Sequence, residues 1–150
     1  MIEIETIMST DLVTVTPEDT VERARMLMHD RRIHHLPVVN GEHELVGLVT
    51  LSNVLAATDS FLRDEDSRIH PDQIRIADIM VADVVTVDQH AGIRQAALFL
   101  EKHRIGCLPV VNNGKLTGII TDTDFVGVAI NLLEQMEWSE PDGEEIEETA

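Results

Sequence analysis

The string "TDTD", residues 121–124, places two hydroxyls and two carboxylates at the point where the β-branched run "KLTGII" ends. A helix that begins where a strand stops leaves its first N–H groups unpaired and partly positive, which suits a phosphate. A carboxylate in that first turn only accepts hydrogen bonds, and it can take two at once. A ribose presents such a pair at its 2′ and 3′ hydroxyls, and charge-assisted bonds are about twice as strong as neutral ones. Asp124 therefore reads as a ribose clamp and Thr121 as a phosphate or ring contact. The same spacing also describes a helix cap worth about 1 kcal/mol, and the two roles are compatible. The corner occurs a second time as "TLSN", with Thr50, Ser52 and Asn53 in the equivalent places.

A second set of residues points the same way. "HDRRIHH" (residues 29–35) and "EKHRIGC" (residues 101–107) hold four of the 11 basic residues, Arg31, Arg32, Lys102 and Arg104. These cations fit either a phosphate or the negative end of a helix dipole. His34 and His35 precede "LPVV"; adjacent strand residues face opposite ways, so one of the two is expected to line a given pocket. Seven histidines without an HExxH or a paired His/Cys spacing give no metal site. No serine sits in a GxSxG elbow and no second carboxylate opposes Asp124, so no catalytic residue is assigned.

Positioning these groups requires a repeated scaffold. "IMSTDLVTVTPEDTVERARMLMHDRRIHHLPVVN" (residues 7–40) returns as "IMVADVVTVDQHAGIRQAALFLEKHRIGCLPVVN" (residues 79–112) at a constant offset of 72. At Gly47 and Gly118 the offset is 71, which places a one-residue indel in a turn. In each copy "LVTVT" or "VVTVD" predicts a short strand. A helix follows, capped by Thr16 with Pro17 in its first turn and Asp19 completing a capping box. Val21, Ala24, Leu27 and Met28 form its apolar face, matched by Ile93, Ala96, Phe99 and Leu100. "LPVV" predicts a buried strand with its proline at a start or edge. Asn40-Gly41 and Asn113-Gly114 predict turns into a further strand, and a helix begins near Asn53 and near Phe125. The unit is strand, helix, strand, strand, helix, used twice. Repeat one spans residues 7–55, a charged linker 56–76, repeat two 77–135, and an acidic tail, expected to be disordered, 136–150.

Composition narrows the function. With 28 acidic against 11 basic residues, the net charge of −17 repels nucleic-acid phosphates, so direct DNA or RNA binding is not expected. Only two of the cations are lysines, Lys102 and Lys115, a balance suited to solubility at high salt. Apolar runs fall far short of the roughly 20 residues of a membrane helix, and "MIEIETIMST" lacks a leader pattern. A cytoplasmic, unprocessed protein is expected. The single cysteine, Cys107, cannot form an internal disulfide and reads as packing.

Over residues 7–135 the chain resembles a tandem pair of cystathionine-β-synthase (CBS) domains, a Bateman module. The resemblance rests on "IM…VTV", on "RIHHLPVV" and "RIGCLPVV", and on "GLVTLSN" and "GIITDTD", each in order and twice. It implies an α/β (α+β) fold of two pseudo-symmetric repeats packed as one module. It also implies clefts for an adenosine-containing ligand (AMP, ADP, ATP or S-adenosylmethionine) as a regulatory ligand, with no catalytic cofactor. It further implies a homodimer and regulation of another protein. Carried onto this sequence, the ligand site comprises Thr121, Thr123 and Asp124 with Leu12, Val13 and Thr14, and His34 or His35 facing phosphate. A weaker site comprises Thr50, Ser52 and Asn53 with Val84, Val85 and Thr86, because Asn53 lacks the charge and the second acceptor. The expected function is a non-enzymatic nucleotide sensor acting on an effector protein in trans. The alternatives are a dimeric scaffold with vestigial clefts, assembled through the helix that carries Trp138, and an enzyme using the cleft.

Overall fold

The computed structural model describes residues 2–63 and 70–139. Four helices and five strands follow in the order α1 (Val21–Arg31), β1 (His35–Val39), β2 (Leu45–Thr50), α2 (Leu51–Arg63), β3 (Val87–Asp88), α3 (Ile93–His103), β4 (Cys107–Asn112), β5 (Lys115–Thr121) and α4 (Asp122–Ser139). The strands form two small sheets, β1-β2 and β3-β4-β5. Both hairpins are antiparallel, and Leu36 against Val49 matches Leu108 against Ile120.

The first strand of each repeat is shorter than its pattern predicts, and a proline explains why. "LVTVT" contributes only a parallel bridge from Val15 to Val38, and "VVTVD" only β3. Val15 donates its N–H to the Pro37 carbonyl (3.1 Å) and accepts from the Val39 N–H (2.9 Å). Two residues earlier, the Val13 carbonyl would need an N–H from Pro37, which has none. Pro109 stands in the same relation to Val85. Each proline is therefore third in a strand with neighbours on both sides, not at a start or edge. No ladder bond is lost, because its missing donor faces the place where the parallel partner has not yet begun.

The first helix also begins later than expected. The Asp19 carboxylate accepts the Thr16 N–H at 2.8 Å and the Asp19 N–H returns to the Thr16 carbonyl at 3.1 Å, so this capping box closes a separate turn. Thr20 is the actual cap, its hydroxyl accepting from the Arg23 N–H at 3.2 Å. The predicted apolar face is the buried one: Val21, Ala24 and Met28 in α1, and Ala96 and Leu100 in α3. Asn113 (φ 54°) and Gly114 (φ 79°) make a two-residue turn with both residues left-handed, whereas residues 40–44 form the longer loop. Ala56–Arg63, read as the start of a linker, continues α2, and α4 runs four residues into the predicted tail, to Ser139. Residues 64–69 and 140–150 lie outside the described residues.

The packing units are offset from the sequence repeats. The buried residues form two clusters, and each takes in residues that precede the other repeat. Ile4, fully buried, sits with Leu100, Leu108 and Ile120 of the second half, and Ile7 and Met8 pack beside it. Ile76, equally buried, joins Val21, Leu36 and Val54 of the first half, with Ile79 and Met80 alongside. Two crossing straps thus complete each other's cores. Ser9 bridges to Ile119, and Val81 to Leu48. The glycine of each "GxxT" motif is what lets the strap through. A Cβ at Gly47 would lie 2.6 Å from the Met80 sulfur and 3.1 Å from the Val81 carbonyl oxygen, and one at Gly118 would collide with the Met8 sulfur.

Candidate functional site

The crossing creates two clefts at the seam of the halves. The first encloses about 400 Å³ between the 121–124 corner, the strap residues that follow Ser9, and the turn after α1. It brings together seven of the eight residues assigned to the main site: Leu12, Val13, His34, His35, Thr121, Thr123 and Asp124. Thr14 is not among its lining residues. Both histidines line it, contrary to the expectation that one would, because His34 is a bend residue ahead of β1 and strand alternation does not govern it.

At the corner, Asp124 Oδ2 accepts the Thr121 N–H at 2.8 Å and the Thr121 hydroxyl at 3.3 Å. The cap is real, but it uses one oxygen. Asp124 Oδ1 has no hydrogen-bond partner among the described residues. At the equivalent corner the Asn53 carbonyl oxygen accepts the Thr50 N–H at 2.9 Å, and the Asn53 N–H donates to the Thr50 hydroxyl at 3.1 Å. Its one side-chain oxygen is thereby engaged in the cap, and where Asp124 has a second oxygen Asn53 has an NH₂ donor.

Three further charged residues line the first cleft. Asp11 was not anticipated, and Asp122, one of the two carboxylates of the 121–124 corner, was given no role. Arg32, anticipated only as a member of a basic cluster, ends α1 in the left-handed conformation (φ 54°, ψ 47°). Arg104 ends α3 in the same way. A non-glycine residue there is strained by about 1–2 kcal/mol. His35 is half-buried; burial, then the neighbouring His34, holds its imidazole below the ordinary histidine range, with Asp122 opposing. Arg32 and the two histidines thus share one cleft with Asp11, Asp122 and Asp124.

The second cleft is smaller, about 210 Å³, and more apolar. Thr50, Val84 and Val85 line it as expected, together with Leu48, Val81, Asp83 and Cys107. Ser52, Asn53 and Thr86 do not. His35 borders this cleft as well as the first. Cys107 is buried, and burial, then Asp122 and Asp124, push its thiol up to about 12, so it stays protonated at neutral pH. A wider depression of about 560 Å³ around Ile2, Ile93 and Leu98 has Arg94 as its one charged lining residue. No helix among the described residues is long and apolar enough to cross a membrane.

Two halves of βαββα type, each completed by a strap from the other and enclosing paired clefts, define a class of tandem-repeat module. The CBS domain family model matches residues 4–60 and 76–131. The chain belongs to the CBS domain family, as a tandem pair. The crystal structure of a protein from Vibrio cholerae assigned to acetoin utilization (AcuB) superposes with a TM-score of 0.78 at 39% identity, covering 94% of this chain and 99% of that one. CBSX2 in complex with AMP superposes with a TM-score of 0.76 at 26% identity, covering 89% and 99%. Inosine-5'-monophosphate dehydrogenase of Thermoplasma acidophilum is 37% identical over 123 residues, 81% of this chain. The chain spans only 22% of that enzyme's length.

Proposed function

We propose that this protein is a non-enzymatic regulatory module that binds an adenosine-containing ligand in the first cleft and acts on a partner protein in trans. The observation that carries this reading is the uncommitted Oδ1 of Asp124, at the corner bordering a cleft of about 400 Å³ that also holds Arg32, His34 and His35. That volume falls within the roughly 300–1,000 Å³ of small-molecule sites. The carboxylate takes the ribose hydroxyls, the 121–124 corner and the basic residues take phosphate, and Leu12 and Val13 hold the base. CBSX2, similar along nearly its whole length, has been crystallised with AMP, which favours the same ligand class here. The second cleft, smaller and bordered by Thr50 but not by Asn53, binds the ligand weakly.

The module acts as a homodimer through α2 and α4. None of the residues of α4 is buried, and Val126, Ile130, Leu133 and Met136 form an exposed apolar stripe. Leu55 on α2 is exposed in the place equivalent to Val126, so the face is repeated about the pseudo-two-fold and is self-complementary.

Thermal unfolding with AMP, ADP, ATP and S-adenosylmethionine tests the reading. A ligand at about 100 times its dissociation constant adds roughly 2.7 kcal/mol to the folded state. A shift with one of these, with the ligand recovered unchanged, supports a sensor. Turnover of the ligand would make the protein an enzyme, and no shift with any would leave a scaffold.

A further inference from the structure

Outside the lining of both clefts, the strap that carries Ile4 is tied to the loop between β3 and α3. The Ile4 N–H donates to the Ala91 carbonyl at 2.8 Å, the Glu5 N–H to Gln89 at 3.3 Å, and the Ile93 N–H to Ile2 at 2.9 Å. These bonds set Glu3, Glu5 and His90 side by side, with one donor atom of each within 4.8 Å of the others. His90 Nδ1 lies 3.3 Å from Glu3 Oε2, and the His90 backbone is held by its N–H on Asp88 Oδ1 at 2.9 Å.

The pseudo-symmetric place in the first half is built differently. Arg75 stands where Glu3 stands, and its guanidinium donates at 2.8 Å to the carbonyl of Glu18, the counterpart of His90. One half thus closes its strap onto its loop with a cation. The other places Glu3 and Glu5 there, and among the described residues neither they nor Asp88 pairs with a lysine or arginine. What that second junction lacks, relative to the first, is positive charge.

We propose that Glu3, Glu5 and His90 bind a divalent transition-metal ion of the zinc class, which fastens the strap to the β3–α3 loop as Arg75 does in the other half. An imidazole with two carboxylates suits zinc, nickel or cobalt; magnesium and calcium call for oxygen ligands. Tetrahedral ligands about 2.0–2.2 Å from one ion stand about 3.3–3.6 Å apart. His90 Nδ1 and Glu3 Oε2, at 3.3 Å, already meet that spacing, and Glu5, whose carboxylate lies within 4.8 Å of both, closes the remainder by rotation of its exposed side chain.

The test is calorimetric titration of the untagged full chain with zinc chloride in a phosphate-free buffer, and of His90→Ala, Glu3→Gln, His35→Ala and His29→Ala. The expected result is one zinc per chain, with affinity at least tenfold weaker in His90→Ala and Glu3→Gln and unchanged in the other two. Cobalt should give a visible absorption band that His90→Ala abolishes. Unfolding midpoints in chelator at neutral pH should be alike for the parent, His90→Ala, Glu3→Gln and His29→Ala, because these side chains are exposed or partly exposed. Absence of zinc binding, retention of full affinity in His90→Ala, or loss in His35→Ala instead, would each overturn the assignment. So would equal binding of magnesium.

Discussion

Asp124→Asn separates the two roles of this carboxylate because the protein already contains the substituted corner. Asn53 caps its helix with one oxygen on the Thr50 N–H at 2.9 Å. An asparagine at 124 can cap Thr121 in the same way, so the variant should keep its unfolding free energy to within about 0.5 kcal/mol. What it loses is the charge and the free Oδ1. A hydrogen bond to a charged group contributes about 1.5–3 kcal/mol net and a neutral one about 0.5–1.5. The difference is of the order of 1.4 kcal/mol, a tenfold loss of affinity. Asp124→Ala removes both roles and should also lose about 1 kcal/mol of stability with the cap. Calorimetric titration with AMP and with adenosine measures binding, adenosine isolating the ribose from any relief of repulsion on phosphate; urea unfolding measures stability. If Asp124→Asn binds both ligands as tightly as the parent protein, the clamp is refuted and Asp124 is a cap alone.

Gly118→Ala drives a methyl group into Met8 and the Ser9 carbonyl and should destabilise by about 1–3 kcal/mol in urea unfolding; Gly41→Ala, with open space around its Cβ, should be neutral. His35 has a folded pKa below its ordinary value, so the unfolded chain takes up the proton first. Its contribution is a loss of stability as pH falls below about 6.5, which His35→Gln should remove. His90 has the opposite sign, since Glu3 raises its pKa, and its contribution is lost as pH rises through the folded pKa; unfolding midpoints of both variants across pH 5–8 distinguish them. Leu133→Glu, on the exposed stripe of α4, should convert a dimer to a monomer in light scattering without lowering the unfolding midpoint of dilute protein.

Much of the fold was legible because the same pattern is written twice. The helix faces, the "LPVV" strands and the Asn113-Gly114 turn follow from periodicity and turn chemistry, which are local, while the family came from the resemblance of the repeated motifs. The misreadings have local causes too. Thr16 and Asp19 satisfy a capping box, and only the tertiary bonds of this loop to the second strap, such as the Ile76 N–H on the Asp19 carbonyl at 2.8 Å, reveal a turn standing before the helix. The proline in β1 suggested an edge because a sequence does not say which side of a strand is still unpaired. The lining roles of Asp11, Asp122 and Arg32 were out of reach for a different reason: these residues meet only through the crossing of the straps.

That crossing bears on how an occupied cleft would be felt elsewhere. Ile4 is buried in the second half while Val15, eleven residues on, belongs to the core of the first. The residues between them include Leu12 and Val13, which line the same cleft as Asp124. On the proposed reading, a ligand held by its ribose at Asp124 and by its base at Leu12 and Val13 joins the second half to a segment anchored in both. It cannot tighten that segment without loading the two cores together. Residues 122–124 also open α4, whose exposed stripe is the proposed dimer face, so the shortest route from ligand to partner is one helix. Binding at the cleft and the packing of α4 should therefore be coupled, and by reciprocity dimerisation should change ligand affinity by the same factor. AMP titrations above and below the dimer dissociation concentration measure that factor. Equal affinities in monomer and dimer would leave α4 an assembly surface with no part in signalling.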